Sequence, residues 1–206
     1  MDNAKQWINW ITELQAIAQN GLSYVKDIYD KERYLRLREM AAEMMSHVTD
    51  IPVEKMPELF CYERGYQTPK IDVRAAMVED GKILLVQENN GKWSIPGGWC
   101  DINLSVKENA IKEAREEAGL DIEVGRVVAL QDRSKHNYPP QASSICKVFV
   151  LCRTLGGEFQ ANSETTASGW FSINELPELD NGKTTREQIE LCIRASEAEH
   201  WETMID

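Results

Sequence analysis

The N-terminal third of the chain alternates apolar and polar positions with the period of an α-helix. Apolar residues recur at helical spacing from Trp7 to Ala18, up to a stop signal at Asn20-Gly21. A second series runs from Leu37 to Val48, and Pro52 and Pro57 then interrupt the chain. The pattern predicts two amphipathic helices. Two helices cannot enclose a complete core, so we expect their apolar faces to pack on each other, on the rest of the chain or on a second copy.

The pattern changes near Thr68-Pro69 to short apolar runs separated by turn signals. Asp80-Gly81 stands between two such runs and is a strong hairpin signal. The predicted elements are strands at 72–79, 82–87, 123–131 and 146–152, a helix before the third strand, and a C-terminal helix from about Thr185. This order is typical of the α/β class. We therefore expect a small all-α domain at 1–68 and an α/β domain at 69–206.

The helix that precedes the third strand has clear start and stop signals. Ser105 followed by Glu108 forms a capping-box pattern, and Gly119 is a typical C-terminal stop. The helix should therefore run from about Val106 to Ala118.

Three glutamates crowd one part of this helix. Glu113 and Glu117 lie one turn apart, with Glu116 beside them, whereas the apolar residues Ile111, Ala114 and Ala118 fall on a different face. We expect the three carboxylates to project together, away from the core. Like charges at this spacing cost a helix roughly 0.2–0.5 kcal/mol per pair, so a compensating interaction is expected.

Two explanations of the acidic helix face remain open at this point. It can be a solvated face whose negative charge is partly offset by Lys107, Lys112 and Arg115. Alternatively, it can bind a hard divalent cation, because Mg²⁺ and Mn²⁺ take carboxylate oxygens, and Mg²⁺ usually shares its coordination shell with substrate phosphates.

The charge of the chain narrows the class of function. The 206 residues carry a net charge of −11, which argues against nucleic-acid binding as the main role but allows phosphates to bind through a divalent cation. The five cysteines form no C-x-x-C pair, and polar residues interrupt the apolar positions of the N-terminus. We expect a soluble, cytoplasmic protein with reduced thiols and no membrane association.

The segment "GKWSIPGGWCDINLSVKENAIKEAREEAGL" resembles the Nudix box, G-x5-E-x7-R-E-U-x-E-E-x-G-U, where U is a bulky apolar residue. Gly98 fills the first place, and residues 112–120 align with the end of the motif in register. Two places differ, because Leu104 replaces the first glutamate of the box and Lys112 replaces its arginine. In the family these two residues interact, so this chain lacks both ends of one bridge.

The Nudix resemblance implies an α/β/α sandwich with a mixed sheet, preceded here by the small helical domain. It also implies hydrolysis of a nucleoside diphosphate linked to another moiety, with Mg²⁺ or Mn²⁺ as cofactor. The metal ligands implied by the box are Glu113, Glu116, Glu117 and the carbonyl of Gly97. Glu164 stands where many Nudix enzymes place a loop glutamate that acts as general base, and Glu113 is the alternative base.

The segment "QDRSKHNYPP" predicts a loop that shapes the substrate pocket. Together with the helical N-terminal domain, it resembles the subgroup of ADP-ribose pyrophosphatases that includes CDP-choline pyrophosphatases. The substrate contacts implied by this resemblance are Arg133, Lys135 and His136, with Arg74 on the first strand as a further candidate.

Three functional hypotheses follow from the resemblance. The first is hydrolysis of CDP-choline, to CMP and phosphocholine, or of ADP-ribose. The second is removal of nucleotides or caps from RNA. The third is a Nudix-fold regulator that binds nucleotides without catalysis. The apolar surplus of the helical domain also predicts a homodimer.

Overall fold

The structure, a computed structural model, describes residues 3–49, 51–56, 60–61, 65–141 and 143–206, so Pro57 lies outside the described residues. The chain divides into two compact units. The first comprises residues 1–69 and 140–144, and the second comprises residues 70–139 and 145–206. Among the described residues, every helix is too short or too polar to cross a membrane.

The first unit consists mainly of two helices, α1 (Asn3–Tyr24) and α2 (Ile28–Val48), followed by a 3₁₀ turn at Val53–Lys55. Both helices are confirmed, but the predicted stop of α1 at Asn20-Gly21 is wrong. The helix continues through Gly21, where the ring of Tyr34 on α2 lies so close that a side chain would overlap it. Glycine at 21 therefore serves close helix packing.

The two helices bury only part of their apolar surface. Their core contains Ile8, Ile11, Ala41, Ala42, Met45, Met56 and Phe60. Trp7, Trp10 and Ile17 belong to the same predicted apolar series but are exposed. The rings of Trp7 and Trp10 meet edge to face, with centroids 5.4 Å apart.

The second unit is built on a mixed eight-stranded sheet. Its elements are β1 (Lys70–Glu79), β2 (Lys82–Glu88), β3 (Trp93–Ser94), β4 (Gly97–Trp99), α3 (Val106–Ala118), β5 (Leu120–Asp132), α4 (Arg133–His136), β6 (Ile145–Gly157), β7 (Thr165–Ser172), α5 (Arg186–Glu197) and β8 (Met204–Ile205). The main strand order is β3-β2-β1-β6-β5-β8, with β4 paired to β1 and β7 paired to β2. β1 and β6 are parallel, as are β5 and β8, and the other pairs are antiparallel.

Each face of the sheet is covered by one long helix. Ala110, Ala114 and Ala118 of α3 pack on one face, and Ile189, Cys192 and Ala195 of α5 pack in the core of the other. The expected α/β/α sandwich with a mixed sheet is therefore confirmed. The segment that was predicted as a loop at 131–140 contains one helical turn, α4.

Candidate active site

The acidic helix α3 begins and ends where its sequence signals predict. The hydroxyl of Ser105 accepts the Glu108 N–H at 3.2 Å, and the Glu108 carboxylate accepts the Ser105 N–H at 2.8 Å, which completes the capping box. Gly119 ends the helix in the left-handed conformation, with a φ of 68°. The glutamates are thus held on a helix with fixed ends.

The glutamates of α3 do not all project away from the core. Glu113 and Glu117 are each only 7% exposed, whereas the side chain of Glu116 is 55% exposed. Glu117 Oε2 accepts the Gly97 N–H at 2.8 Å, and a Cβ on Gly98 would lie 3.2 Å from Glu113 Oε2. The prediction of a shared outward orientation is wrong for this pair, because Gly98 leaves space for the Glu113 carboxylate and the Gly97 N–H binds Glu117.

Burial raises the pKa of the two inward carboxyl groups. It raises the pKa of Glu117 to about 7, although the Gly97 N–H and the charge of Arg74 oppose the shift. It also raises the pKa of Glu113, against the opposing charge of Lys112. Burial thus favours the neutral form of both carboxyl groups, and nearby positive charge opposes this effect.

Lys112 forms a bridge at the place where the box arginine is missing. Its ammonium lies 3.3 Å from Asp101, 3.5 Å from Glu113 and 3.3 Å from Glu116. Burial alone would lower the pKa of Lys112, but the bond to Asp101 and the two glutamates raise it. Asp101 thus provides a carboxylate partner from the loop before α3, in place of the one lost at Leu104.

The loop before α3 is organised by Asn109, which is buried and which the sequence analysis did not single out. Its amide group accepts the Asp101 N–H at 2.9 Å and donates to the carbonyls of Leu104, at 3.2 Å, and Ser105, at 3.0 Å. Asparagine is common in loops and caps, so its local sequence carries no signal of this role. Asn109 fixes the loop that presents Asp101 to Lys112.

Glu164 lies on a loop that is bonded to the end of α3. The Asn162 amide donates to the carbonyl of Glu116 at 2.8 Å and the Thr165 hydroxyl donates to the carbonyl of Glu117 at 2.8 Å. The Glu164 N–H donates to the Asn162 side chain at 2.8 Å, and the carboxylate is exposed. The loop therefore brings Glu164 to the glutamate helix.

An open cleft of about 370 Å³ joins two of the predicted site residues, Glu117 and Glu164. The other residues that line it are Glu88, Asn89, Asn90, Ser163 and Lys183. Glu88 and Lys183 form an ion pair of 2.6 Å, and the Ser94 hydroxyl donates to Glu88 at 3.2 Å. Sequence reasoning missed this ion pair, because the two residues come from strand β2 and from a distant turn.

Arg74 is buried on β1 in a small charged cluster. Its Nε and Nη2 atoms each donate to the Asp72 carboxylate at 2.7 Å, and its Nη1 donates to the Ile95 carbonyl at 3.1 Å. Lys147 on β6 donates to the same carboxylate at 3.1 Å. Burial and the nearby Arg74 lower the pKa of Lys147 to about 7.

Arg133 approaches the same cluster from α4. It donates to the carbonyls of Gly182, at 3.2 Å, and Pro139, at 2.9 Å, and its charge contributes to lowering the pKa of Lys147. Its buried Nη2 has no hydrogen-bond partner among the described residues. Lys135 and His136 are exposed, and His136 pairs with Asp206 at 2.7 Å. Arg74 and Arg133 thus both interact with the Asp72–Lys147 pair, whereas Lys135 and His136 lie exposed on α4.

The donor groups of the site suit a hard divalent cation. Carboxylates from α3, from the end of β2 and from the 158–164 loop surround one cleft, and oxygen is the ligand that Mg²⁺ and Mn²⁺ prefer. Burial raises the pKa of both buried carboxyl groups, and a bound cation would oppose that shift. Among the described residues, no three metal-ligating side chains lie close enough together to hold an ion, so the three glutamates of the box do not form such a group. Glu116 instead pairs with Lys112 at the surface.

Comparison with known protein families identifies the class of protein to which this chain belongs. The NUDIX domain family matches residues 68–192, more than half of the chain. A second family, described as a UDP-X-like N-terminal oligomerisation domain, matches residues 5–60. The chain therefore belongs to the Nudix family and is a Nudix pyrophosphohydrolase.

Individual relatives resemble this chain over most of its length. A Bacillus subtilis (strain 168) protein, provisionally named ADP-ribose pyrophosphatase YjhB, is 40% identical over 90% of both chains. The crystal structure of an ADP-ribose pyrophosphatase from Streptococcus suis 89-1591 is 60% identical, covers 68% of this chain and 100% of its own, and superposes with a TM-score of 0.64. The structure of a UDP-X diphosphatase is 33% identical over 98% of both chains, with a TM-score of 0.63.

Proposed function

We propose that this chain hydrolyses the pyrophosphate bond of ADP-ribose, with CDP-choline, which would yield CMP and phosphocholine, as the second candidate substrate. The observation that carries the proposal is the pair of buried carboxylates, Glu113 and Glu117, under the Nudix helix beside Gly97 and Gly98. The names of the two ADP-ribose pyrophosphatase relatives support ADP-ribose. The only support for CDP-choline as a substrate is the resemblance carried by the D-R-x-K-H-x-x-P-P segment.

The metal-binding residues of the proposal are Glu113, Glu116, Glu117 and the carbonyl of Gly97, with Mg²⁺ or Mn²⁺ as the cofactor. Such a cation, when bound, polarises phosphoryl oxygens and lowers the pKa of a bound water. Glu117 is already oriented by the Gly97 N–H. Lys112, which also pairs with Asp101, forms an ion pair with the exposed side chain of Glu116.

The remaining residues of the proposal act on the substrate and on water. Glu164 takes a proton from the attacking water, because its loop is bonded to the end of α3 and its carboxylate lines the cleft with Glu117. Arg74, Arg133, Lys135 and His136 remain our candidates for contacts with the moiety beyond the diphosphate. The Nη2 of Arg133, which lacks a hydrogen-bond partner in the described part of the chain, supports this role for Arg133 in particular.

Glu164→Gln should lower kcat by about 10²- to 10⁴-fold with little change in KM, because general-base catalysis contributes about that much. Steady-state kinetics measure the effect. Glu158→Gln is the matched control, since Glu158 is exposed in the same loop and does not line the cleft. Unchanged turnover in Glu164→Gln would move the base to Glu113.

Steady-state hydrolysis of a panel tests the proposed substrate. The panel contains ADP-ribose, CDP-choline, NADH, UDP-glucose, diadenosine polyphosphates and short RNA, each with Mg²⁺ and with Mn²⁺. We expect the highest kcat/KM for ADP-ribose and no turnover with chelator. A clear preference for RNA would favour the second hypothesis, which none of the relatives described above supports by name. No turnover with any substrate would contradict the proposal and favour a nucleotide-binding regulator.

The helical unit should hold two copies of the chain together. The family that matches residues 5–60 is described as an oligomerisation domain, and Trp7, Trp10 and Ile17 are each more than a third exposed. Light scattering at micromolar concentration should therefore give twice the chain mass of 23.5 kDa. A monomeric mass would contradict the homodimer. We also propose that the helical domain ends at residue 68 and that the protein is cytoplasmic.

A further inference from the structure

Lys183 is a cation in the acidic cleft to which neither the Nudix box nor the proposed function gives a role. It is the only positively charged residue among the described residues that line the cleft. Its Nζ lies 2.6 Å from Glu88 Oε2, and its side chain is 41% exposed. The ammonium therefore points into the cleft and remains accessible from it.

The backbone around Lys183 is fixed to the strand segment that leads to the Nudix box. The N–H groups of Lys183 and Thr184 both donate to the Asp180 carbonyl, at 2.8 and 2.7 Å. The Thr184 hydroxyl accepts the Ile95 N–H at 3.1 Å, two residues before Gly97. These bonds define the position of the Lys183 backbone relative to Gly97 and its partner Glu117.

The charge of Lys183 acts on the carboxyl group of Glu117. The charge of Lys183 lowers the pKa of Glu117, although burial dominates and raises it. A diphosphate that enters this cleft meets the carboxylates of Glu88, Glu117 and Glu164. A lysine ammonium is a compact point charge on a long, flexible side chain. It can therefore move from a carboxylate to a phosphate oxygen at a slightly different position.

We propose that Lys183 binds a phosphoryl oxygen of the diphosphate directly, and that it exchanges its contact with Glu88 for the substrate. A divalent cation and an ammonium repel each other when both are close to one carboxylate. Lys183 therefore leaves Glu88 in the direction of the diphosphate, and Glu88 is left facing the cleft as a further oxygen donor. The inference rests on the proposed function, since it assumes that the cleft receives a diphosphate with its cations.

The Lys183→Met substitution tests the phosphate contact. Loss of one charge-assisted hydrogen bond should raise KM for ADP-ribose by about tenfold to 100-fold with little change in kcat. Lys183→Arg keeps the charge and should remain much closer to the unsubstituted protein. An unchanged KM in Lys183→Met would overturn the inference.

Binding of Mn²⁺ to the free protein, followed by electron paramagnetic resonance, separates substrate binding from a structural role. If Lys183 competes with a cation for Glu88, Lys183→Met should bind Mn²⁺ as tightly as the unsubstituted protein, or more tightly. Weaker Mn²⁺ binding together with a lower kcat would overturn the inference, because Lys183 would then only hold Glu88 in place. Lys92→Met is the matched control, since Lys92 pairs with Glu178 at 3.4 Å outside the cleft, and it should change neither quantity.

A titration with inorganic pyrophosphate and Ca²⁺, measured by calorimetry, distinguishes failure of this inference from failure of the proposed function. Absence of turnover over the whole substrate panel would contradict the proposed function alone. Weaker pyrophosphate binding in Lys183→Met would still support the contact in that case. Equal binding in the two proteins would overturn it.

Discussion

Glu117→Gln should lower kcat by about a thousandfold or more and leave the fold intact. Glu117 is buried under α3, and a cation held there would contribute several kcal/mol of transition-state stabilisation, of which each 1.36 kcal/mol is a factor of ten. Glutamine has the same shape, and its amide oxygen can still accept the Gly97 N–H. Steady-state kinetics and a thermal melt together measure activity and folding.

Glu108→Gln is the matched control for this substitution. Glu108 lies on the same helix but is exposed, and it closes the capping box, a role that glutamine also fills. It should retain activity and nearly all stability. If Glu117→Gln retained the activity of the control, Glu117 could not be a ligand of the catalytic cation.

Gly97→Ala should destabilise the protein by about 3 kcal/mol or more and abolish activity. Gly97 has a φ of +146°, and a Cβ at this position would overlap the carbonyl oxygen of Val73 on the paired strand β1. The cost combines a conformation that other residues rarely adopt with displacement of packed backbone. Displacement of β4 would also move the N–H that orients Glu117. Chemical denaturation measures the loss of stability.

Gly91→Ala separates these two contributions to the cost. Gly91 also has a positive φ, +81°, but a Cβ there would meet nothing within 4 Å. This substitution should therefore cost only about 1–2 kcal/mol, from backbone conformation alone. Equal losses in Gly91→Ala and Gly97→Ala would show that the overlap with Val73 does not matter.

The helices were predictable wherever their signals are local. α3 runs over Val106–Ala118 as expected, because its capping box and its glycine stop act within a few residues of each end. The C-terminal helix α5 begins after Thr185, whose hydroxyl and Gln188 form a second capping box. The stop predicted at Gly21 failed because a packing contact with α2 decides the role of that residue.

The sheet could not be derived from the sequence pattern to the same extent. The expected hairpin around Asp80-Gly81 exists, but β1 and β2 pair only near the turn, at Val78 with Ile83 and Glu79 with Lys82. Beyond the turn β1 pairs with β4 and β6, and β2 pairs with β3 and β7. Such pairings join residues far apart in sequence, and the short strands β3, β4 and β8 have no periodicity of their own.

The sequence shows which carboxylates α3 carries, but not how the fold orients them or which other residues line the cleft. The helical period places Glu113, Glu116 and Glu117 on neighbouring positions, yet it does not show that only Glu116 faces solvent. That difference depends on β4, where Gly98 leaves space for Glu113 and the Gly97 N–H donates to Glu117. The Lys112 bridge to Asp101 and the Glu88–Lys183 pair likewise depend on loops and strands that are brought together by the fold.

Titration of Mn²⁺ into the unsubstituted protein, Glu117→Gln and Glu108→Gln, followed by electron paramagnetic resonance, tests the central claim most directly. That claim is that the buried carboxylates under α3 bind a divalent cation. We expect saturable Mn²⁺ binding in the unsubstituted protein and in Glu108→Gln. Binding should be at least about tenfold weaker in Glu117→Gln, because the loss of even a residue that only orients a metal ligand typically weakens binding by about that much. Equal Mn²⁺ affinity in all three proteins would contradict the account.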